Sequence, residues 1–386
     1  MRLSIISLFL LFLFFGSCKS DLSKSNSQSP EEDAYFEDYD SPRYKWSYID
    51  RLGNILFEPV YDNCRDFIDG KAVVNFEGKW GIIDKQNQIV IPFIYKELSP
   101  LRNNSATAKT FTDQYLIINS ANDTLHQLPY AEVYPFSDDR ARVISDSGWG
   151  YINTKAEEVI RTDYQRVTDF KYGKSIVSRH HKSGLIDTDG KFILPLDFDR
   201  IVQHKDYVAV SKDNKWGLYS DNGKLILPIV YSFLGVPNDG KILTKKNTKT
   251  YILDLNTKAK SEVNKNIVQY AGEGLWLFQE NDKFGLCNLQ EQVITSKLYP
   301  IIYKFSQGKA VYNSGLDQWG YLNNDGSELT PAIFPLNWSF HNGYGRVIID
   351  RGIGFINKEG QQIIPGIFRE VKNFEEGMAR VQVFRR

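Results

Sequence analysis

Short apolar segments alternate with polar turns along the chain from residue 46 onward. The clearest is a five-residue segment whose third and fourth positions are mostly apolar and whose fifth is Asp, Asn or Ser. It recurs ten times, with starting points 33 to 35 residues apart. Such a period predicts tandem repeats that share one continuous core. The segments start at Trp46, Trp80, Tyr115, Trp149, Ser183, Trp216, Thr250, Phe284, Trp319 and Ile353.

Each repeat of about 34 residues has the features of a small β-meander. Its first strand is apolar on both faces, which indicates burial between two layers. The Asp or Asn that follows is a turn-capping residue, often with Gly three positions later, as at Gly53. A second apolar strand contains proline, as at Pro92, which places that strand at a sheet edge or ends it. A Phe-x-x-Gly-x-Ala-x-Val segment such as 67–74 then leads to the next repeat. We therefore predict an all-β fold with three or four short antiparallel strands per repeat, and no helix after residue 45.

The two ends of the repeat array are complementary. The first repeat starts at the Trp46 strand without a Phe-x-x-Gly segment before it, and the chain ends with that segment at 368–384. In a β-propeller such ends pair and close the ring, whereas an open superhelix would need capping units. Propeller blades usually take 40 or more residues. We expect a propeller-like closed or nearly closed array, with an open β superhelix or solenoid as the alternative.

The amino-acid composition supports β-strands, and the charge balance excludes nucleic acid as a partner. The chain has 24 Phe and 22 Tyr but only 2 Met, an aromatic enrichment typical of β-sheets. Lys and Arg total 47, as do Asp and Glu, so the formal net charge is zero. There is no basic field to hold a nucleic acid, and we expect none as a partner.

The N-terminal segment has the features of a secretion signal. Arg2 precedes an apolar run over 5–15 that is too short to span a bilayer, which takes about 20 residues. The sequence Phe-Gly-Ser-Cys ending at Cys18 resembles the lipobox of bacterial lipoproteins. That resemblance implies cleavage after residue 17 and acylation of Cys18, and two or three acyl chains give stable membrane attachment.

These observations divide the chain into a signal peptide (1–17), a lipidated cysteine with a Ser-rich flexible tether (18–45) and the repeat domain (46–386). Lys19 follows the cysteine, rather than the Asp associated with inner-membrane retention. We therefore expect a protein of the cell envelope that is attached to the outer membrane by its lipid. Whether it faces the periplasm or the cell surface stays open.

The repeat resembles the WG, or KWG, repeat family, named for the pair found here at Trp80-Gly81, Trp149-Gly150, Trp216-Gly217 and Trp319-Gly320. The resemblance extends over nearly all of residues 46–384. The repeats at Tyr115, Ser183 and Thr250 lack the Trp. The family implies β-rich tandem repeats in bacterial proteins and brings no general activity or catalytic residues.

Few residues in the sequence suggest a disulfide, a metal site or a catalytic site. Cys64 and Cys287 occupy columns that elsewhere hold aliphatic residues, so we interpret both as small core side chains rather than as a disulfide. The pair His180-His181 lies in a hairpin tip, where solvation is the plain interpretation. A metal site would need partners from other repeats, which hold the remaining histidines, His126, His204 and His341. One Asp or Asn per repeat is too few for calcium. We predict no catalytic residue, metal or cofactor.

Trp276 and Trp338 lie outside the Trp column of the repeat. Exposed, they could stack on a sugar ring or anchor a protein interface; packing into the core of an irregular repeat is the alternative. The resulting expectation is a non-catalytic, membrane-anchored lipoprotein that binds or scaffolds another envelope protein. A glycan-binding module is the alternative. An enzyme would require a polar cluster at the ring centre or on a concave face.

Overall fold

The computed structural model describes residues 44–384, and the structural statements below concern that part of the chain. The predicted signal peptide, Cys18 and the tether up to residue 43 lie outside it. The described residues form strands and turns, and none of them belongs to a helix long and apolar enough to cross a bilayer. The all-β prediction is confirmed.

Ten small antiparallel sheets, here called blades, follow one another along the chain. The first strand, β1 (Tyr44–Ile49), belongs to the last of them. Blade 1 comprises β2 (Asn63–Cys64), β3 (Lys71–Phe76), β4 (Lys79–Asp84) and β5 (Ile89–Tyr95); blade 2 comprises β6 (Glu97–Leu98), β7 (Ser105–Lys109), β8 (Tyr115–Asn119) and β9 (Thr124–Leu128); blade 3 comprises β10 (Glu132–Val133), β11 (Ala141–Ser145), β12 (Gly148–Ile152) and β13 (Glu158–Tyr164).

The middle blades follow the same order. Blade 4 comprises β14 (Arg166–Val167), β15 (Lys174–Arg179), β16 (Lys182–Asp187) and β17 (Phe192–Phe198); blade 5 comprises β18 (Arg200–Gln203), β19 (Tyr207–Lys212), β20 (Lys215–Ser220) and β21 (Leu225–Tyr231); blade 6 comprises β22 (Phe233–Leu234), β23 (Lys241–Lys246), β24 (Lys249–Asp254) and β25 (Lys260–Glu262).

Three of the last four blades have three named strands. Blade 7 comprises β26 (Ile267–Gly272), β27 (Leu275–Glu280) and β28 (Lys283–Cys287); blade 8 comprises β29 (Ile301–Ile302), β30 (Lys309–Asn313), β31 (Trp319–Asn323) and β32 (Glu328–Phe334); blade 9 comprises β33 (Gly345–Ile349), β34 (Gly352–Ile356) and β35 (Gln362–Phe368); blade 10 comprises β36 (Glu370–Glu375), β37 (Met378–Phe384) and β1. Isolated bridges stand in for the missing fourth strands.

Strand positions within a blade are called a, b, c and d in pairing order. The a–b and b–c turns are mostly two-residue hairpins in which both residues have positive φ, as at Asp69 (50°) and Gly70 (73°). This geometry matches the twist of the flanking strands and favours Asn, Asp and Gly. The c–d turn is closed by the predicted capping residue: Asp84 Oδ1 accepts hydrogen bonds from the backbone N–H of Gln86 and Gln88 at 2.9 and 2.8 Å. The proposed role of the Asp/Asn column is confirmed.

Blade 10 closes the ring. Its c strand, β1, pairs with its b strand, β37, from Tyr44↔Phe384 to Ile49↔Ala379. The complementary ends noted in the sequence thus complete one blade, and the structure is a closed ten-bladed β-propeller rather than an open superhelix. The d strands form the outer edge of each blade, and the recurrent proline lies in them, as Pro92 does in β5. Because proline has no N–H to offer, it protects that edge against further pairing.

The core lies between blades. A c-strand aromatic side chain packs on an a-segment phenylalanine of the next blade, with ring centroids 4.7 to 4.9 Å apart. The pairs are Tyr48–Phe67, Tyr151–Phe170, Tyr321–Phe340 and Phe355–Phe374. In the first three the tyrosine hydroxyl also donates to a backbone carbonyl of the next blade at 2.7 to 2.8 Å. Blades are therefore joined by aromatic packing and a hydrogen bond at the same point.

Buried arginines strengthen both interfaces of the closing blade. Arg380 of β37 donates to the Asp66 carboxylate of blade 1 at 2.6 and 3.1 Å and to the carbonyl oxygen of Cys64 at 2.7 Å. On the other side, Arg346 of blade 9 donates to the carbonyl oxygen of Val371 in blade 10 at 2.8 Å. These bonds hold in place the one blade whose central strands are not joined by a hairpin.

Candidate functional site

The a–b turns surround the central channel. His204 lies at this turn in blade 5, and its pKa is lowered by burial and by the positive charges of Lys304 and Lys171. Lys304 belongs to blade 8, three blades away. In each four-stranded blade the a strand forms the sheet edge opposite the outer d strand, and so lies nearest the ring axis. The a segments therefore line the channel.

Neighbouring a–b turns bond to one another around this channel. Glu376 of blade 10 accepts hydrogen bonds from the N–H groups of Asp69 and Gly70 at 2.6 and 3.0 Å. The same arrangement joins Asp138 to Gly173 at 2.6 Å. These acidic side chains fix the positions of neighbouring turns. Because they are bonded to the turns, they do not gather into a separate site.

A pocket of about 230 Å³ opens between blades 6 and 7, at the same end of the blades as these turns. The Tyr270 hydroxyl donates to Asp239 Oδ2 at 2.5 Å and accepts from the Gly274 N–H at 2.8 Å. The pocket thus has aromatic surface beside one carboxylate, which already accepts a hydrogen bond from Tyr270. Its lining residues are Asp239, Lys241, Tyr270, Gly274, Trp276 and Leu289.

Trp276 forms part of this pocket but belongs to the core. It is 1% exposed, so no sugar ring can stack on its face in this conformation. It occupies the second position of the b strand, a column of mostly small residues elsewhere, such as Ala72, Ala106 and Gly345. Blade 7 lacks the a-segment phenylalanine, and its β26 strand contains two register shifts. The indole packs with blade 6 residues.

Trp338 is half-buried at the blade 9 a segment, and the guanidinium of Arg346 lies over its ring at 4.8 Å. That face of the indole is therefore occupied by a cation from its own blade. The structure does not bring Trp276 and Trp338 together, since they lie in blades 7 and 9.

The other residues considered from sequence are packing or surface groups. Cys64 and Cys287 are fully buried and unpaired, and burial raises their pKa values to about 12 and about 11. His180 and His181 form the exposed b–c turn of blade 4. His341 lies 2.6 Å from Glu375 of blade 10. Within residues 44–384, His, Cys, Asp and Glu side chains do not gather in threes as metal ligands would.

Sequence reasoning did not find the pocket. The available signal was Trp276 itself, a large residue in a b-strand column of mostly small ones. The two inserted residues in β26 become visible only from the strand register.

Comparisons with solved structures return other proteins with low similarity. A eukaryotic initiation factor is 12% identical, with a TM-score of 0.45 over 81% of this chain and 97% of that one. BamB from Moraxella catarrhalis is 10% identical, with a TM-score of 0.32 over 65% and 93%. The computationally designed Ika8 protein is 10% identical, with a TM-score of 0.34 over 69% and 93%. Because these TM-scores are low, the propeller assignment rests on the strand pairing described above.

No curated protein matches the sequence. The family described as WG containing repeat, however, matches seven segments that together cover more than half of the chain. They are residues 46–80, 80–110, 149–179, 184–216, 216–249, 319–351 and 353–383. The chain therefore belongs to the WG repeat family.

Proposed function

We propose that this protein is a non-catalytic lipoprotein, anchored in the outer membrane through Cys18, whose propeller binds or scaffolds another envelope protein. The proposal is supported by the way its polar residues are used. The Asp/Asn column closes turns, the a–b carboxylates hold neighbouring turns, and the buried arginines join blades. When the polar residues of each repeat stabilise turns and blade contacts in this way, the repeat array is suited to presenting a broad surface.

A group of exposed apolar side chains near the c–d turns of blades 10 and 1 is the observation that carries this proposal. Leu52 in the c–d turn of blade 10 is 78% exposed, and Ile89 at the start of the blade 1 d strand is 61% exposed. Ile55 and Leu56 are exposed between them in sequence. Blades 10 and 1 are neighbours in the ring, since the Tyr61 hydroxyl donates to Asn87 Oδ1 at 2.5 Å. We call Leu52, Ile55, Leu56 and Ile89 the rim patch. Exposed apolar clusters of this kind mark protein interaction sites.

A site-specific photo-crosslinker tests this function in the native envelope. Placed at Ile89, it should capture one defined envelope protein. Glu158 is the matched control because it holds the same strand position in blade 3, away from the rim patch, and is exposed but polar. Capture of the same set of proteins from both positions, or of none from Ile89, would contradict the proposal.

A second candidate function, glycan binding, is favoured by the pocket between blades 6 and 7. Its Tyr270, Asp239 and Lys241 offer an aromatic surface and polar groups to a sugar. Binding to a glycan array that is lost in Lys241→Met but kept in Trp338→Ala would support this use of the pocket. Loss in Trp338→Ala with the fold retained would instead assign the contact to blade 9. An array without binding excludes the glycan candidate for the sugars it contains.

A further inference from the structure

The chain enters and leaves the propeller at one place. In blade 10 the b and c strands end at Phe384 and begin at Tyr44, which pair with each other. In the other nine blades this position is the b–c hairpin. Both ends of the described chain therefore lie on the side that carries the b–c hairpins, which we call the hairpin face. The rim patch adjoins the c–d turns, at the opposite ends of the strands.

The hairpins on this face are of two kinds. Seven are two-residue turns made of polar residues or glycine, such as Glu77-Gly78, His180-His181 and Asp213-Asn214. The other two have five residues, 110–114 in blade 2 and 314–318 in blade 8. Each of these longer turns carries one large apolar side chain with high exposure: Phe111 at 56% and Leu316 at 80%.

The positions of these two turns are related to the chain ends. Blades 8 and 2 each lie two blades from blade 10, on opposite sides of it. In blade 10 itself, Phe384 is 49% exposed, and its ring lies edge-on to Tyr44 at 5.3 Å. The exposed apolar residues Phe111, Leu316 and Phe384 therefore lie along one arc of the hairpin face. The arc is centred on blade 10, where the described chain begins at Tyr44. The hairpins on the far side of the ring, in blades 4 to 6, have polar tips.

We propose that this arc of the hairpin face docks on a lipid bilayer, with Phe111 and Leu316 inserted among the lipids and the rim patch directed away from the membrane. The proposal rests on the lipid attachment at Cys18 proposed above. Large apolar side chains on hairpin tips are poorly accommodated in water, and transferring one to an apolar phase favours binding by about tenfold or more.

The tether alone does not dictate this orientation. The 26 residues from Cys18 to Tyr44 can span at most about 85 Å. The tether holds the propeller near the bilayer at a high effective concentration. Under that condition two weakly inserting tips suffice to select which face touches the lipid.

Cysteine labelling of the acylated protein in vesicles tests the orientation. Cys64 and Cys287 are buried, and Cys18 carries the lipid in the proposed mature protein, so an introduced surface cysteine can be labelled selectively. Leu316→Cys and Phe111→Cys receive an environment-sensitive fluorophore, and Lys215→Cys in the blade 5 hairpin strand is the matched control. The vesicles contain phosphatidylethanolamine and phosphatidylglycerol, with and without brominated lipid.

The proposal expects a blue-shifted emission that is quenched by brominated lipid at 316 and 111, and neither change at 215. Vesicle-bound protein with equal, unquenched emission at all three positions would overturn the docking while leaving the anchor intact. A blue shift without lipid quenching would also overturn it, because it would indicate a contact between two copies. Protein that does not float with vesicles refutes the Cys18 anchor and, with it, the docking proposal that rests on it.

Discussion

Arg380 offers a direct test of how the ring is closed. Replacing it with methionine keeps most of the alkyl volume but removes the guanidinium that bridges blades 10 and 1. Asp66 and the Cys64 carbonyl then lose their three hydrogen bonds. Breaking a buried ion pair by removing one partner costs about 3–5 kcal/mol. The Asp66 side chain is 27% exposed and can regain some hydration, so we expect a loss near the lower end, about 3 kcal/mol.

Urea unfolding followed by tryptophan fluorescence measures this loss, with Arg142→Met as the control. Arg142 makes the equivalent pair with Asp169 between blades 3 and 4, where the carboxylate side chain is 44% exposed, and the expected cost is about 2 kcal/mol. Arg380→Met should also increase proteolysis within residues 44–61, since β1 is held in blade 10 by non-covalent pairing with β37. A change below about 1 kcal/mol for Arg380→Met, or a larger one for Arg142→Met, would refute this account of closure.

Three further outcomes follow from burial and close packing. Trp276→Ala empties the space of a buried indole and should lower the free energy of unfolding by about 3–5 kcal/mol; an unchanged urea midpoint would contradict this. Because burial raises the pKa of Cys64 to about 12 and of Cys287 to about 11, both stay protonated at pH 8. A disulfide reagent should therefore label them only after denaturation, and rapid labelling of the native protein would disprove their inaccessibility. Gly345→Ala would place a Cβ 2.9 Å from the Phe340 ring. We expect a cost of about 1–3 kcal/mol in the same urea assay, and a neutral result would mean that the ring shifts freely.

The sequence contains enough information for the repeat and for the complementarity of its two ends. Strand alternation, the turn-capping column and the proline positions are local features, and local features are repeated ten times here. The complementary ends at Trp46 and 368–384 gave the closing blade, because an incomplete first repeat needs a partner strand from elsewhere. The choice between ring and superhelix depended on the small rotation between blades, which the columns do not reveal.

Contacts between blades were harder to predict. Tyr48 and Phe67 occupy well-marked columns, but nothing in the columns says that they meet across an interface. The pocket depends on two inserted residues in β26 and on Trp276 turning inward, and both features break the repeat. Trp276 and Trp338 were singled out because they lie outside the Trp column, yet one is buried and the other is covered on one face by Arg346. An unusual position in the sequence identified irregular packing rather than an exposed aromatic.

The pairing of β37 with both β36 and β1 also has a consequence for biosynthesis. The strand Met378–Phe384 is made after the strands of the other nine blades, and it must enter between a neighbour in sequence and a strand more than 300 residues earlier. Until then β1 keeps an open edge, to which a strand of another molecule could add. Loop closure over such a distance is slow relative to the local hairpins that form the other blades. The nascent protein therefore spends its longest vulnerable period as a nearly finished arc, and a chaperone that covers β1 would be of most use at that stage.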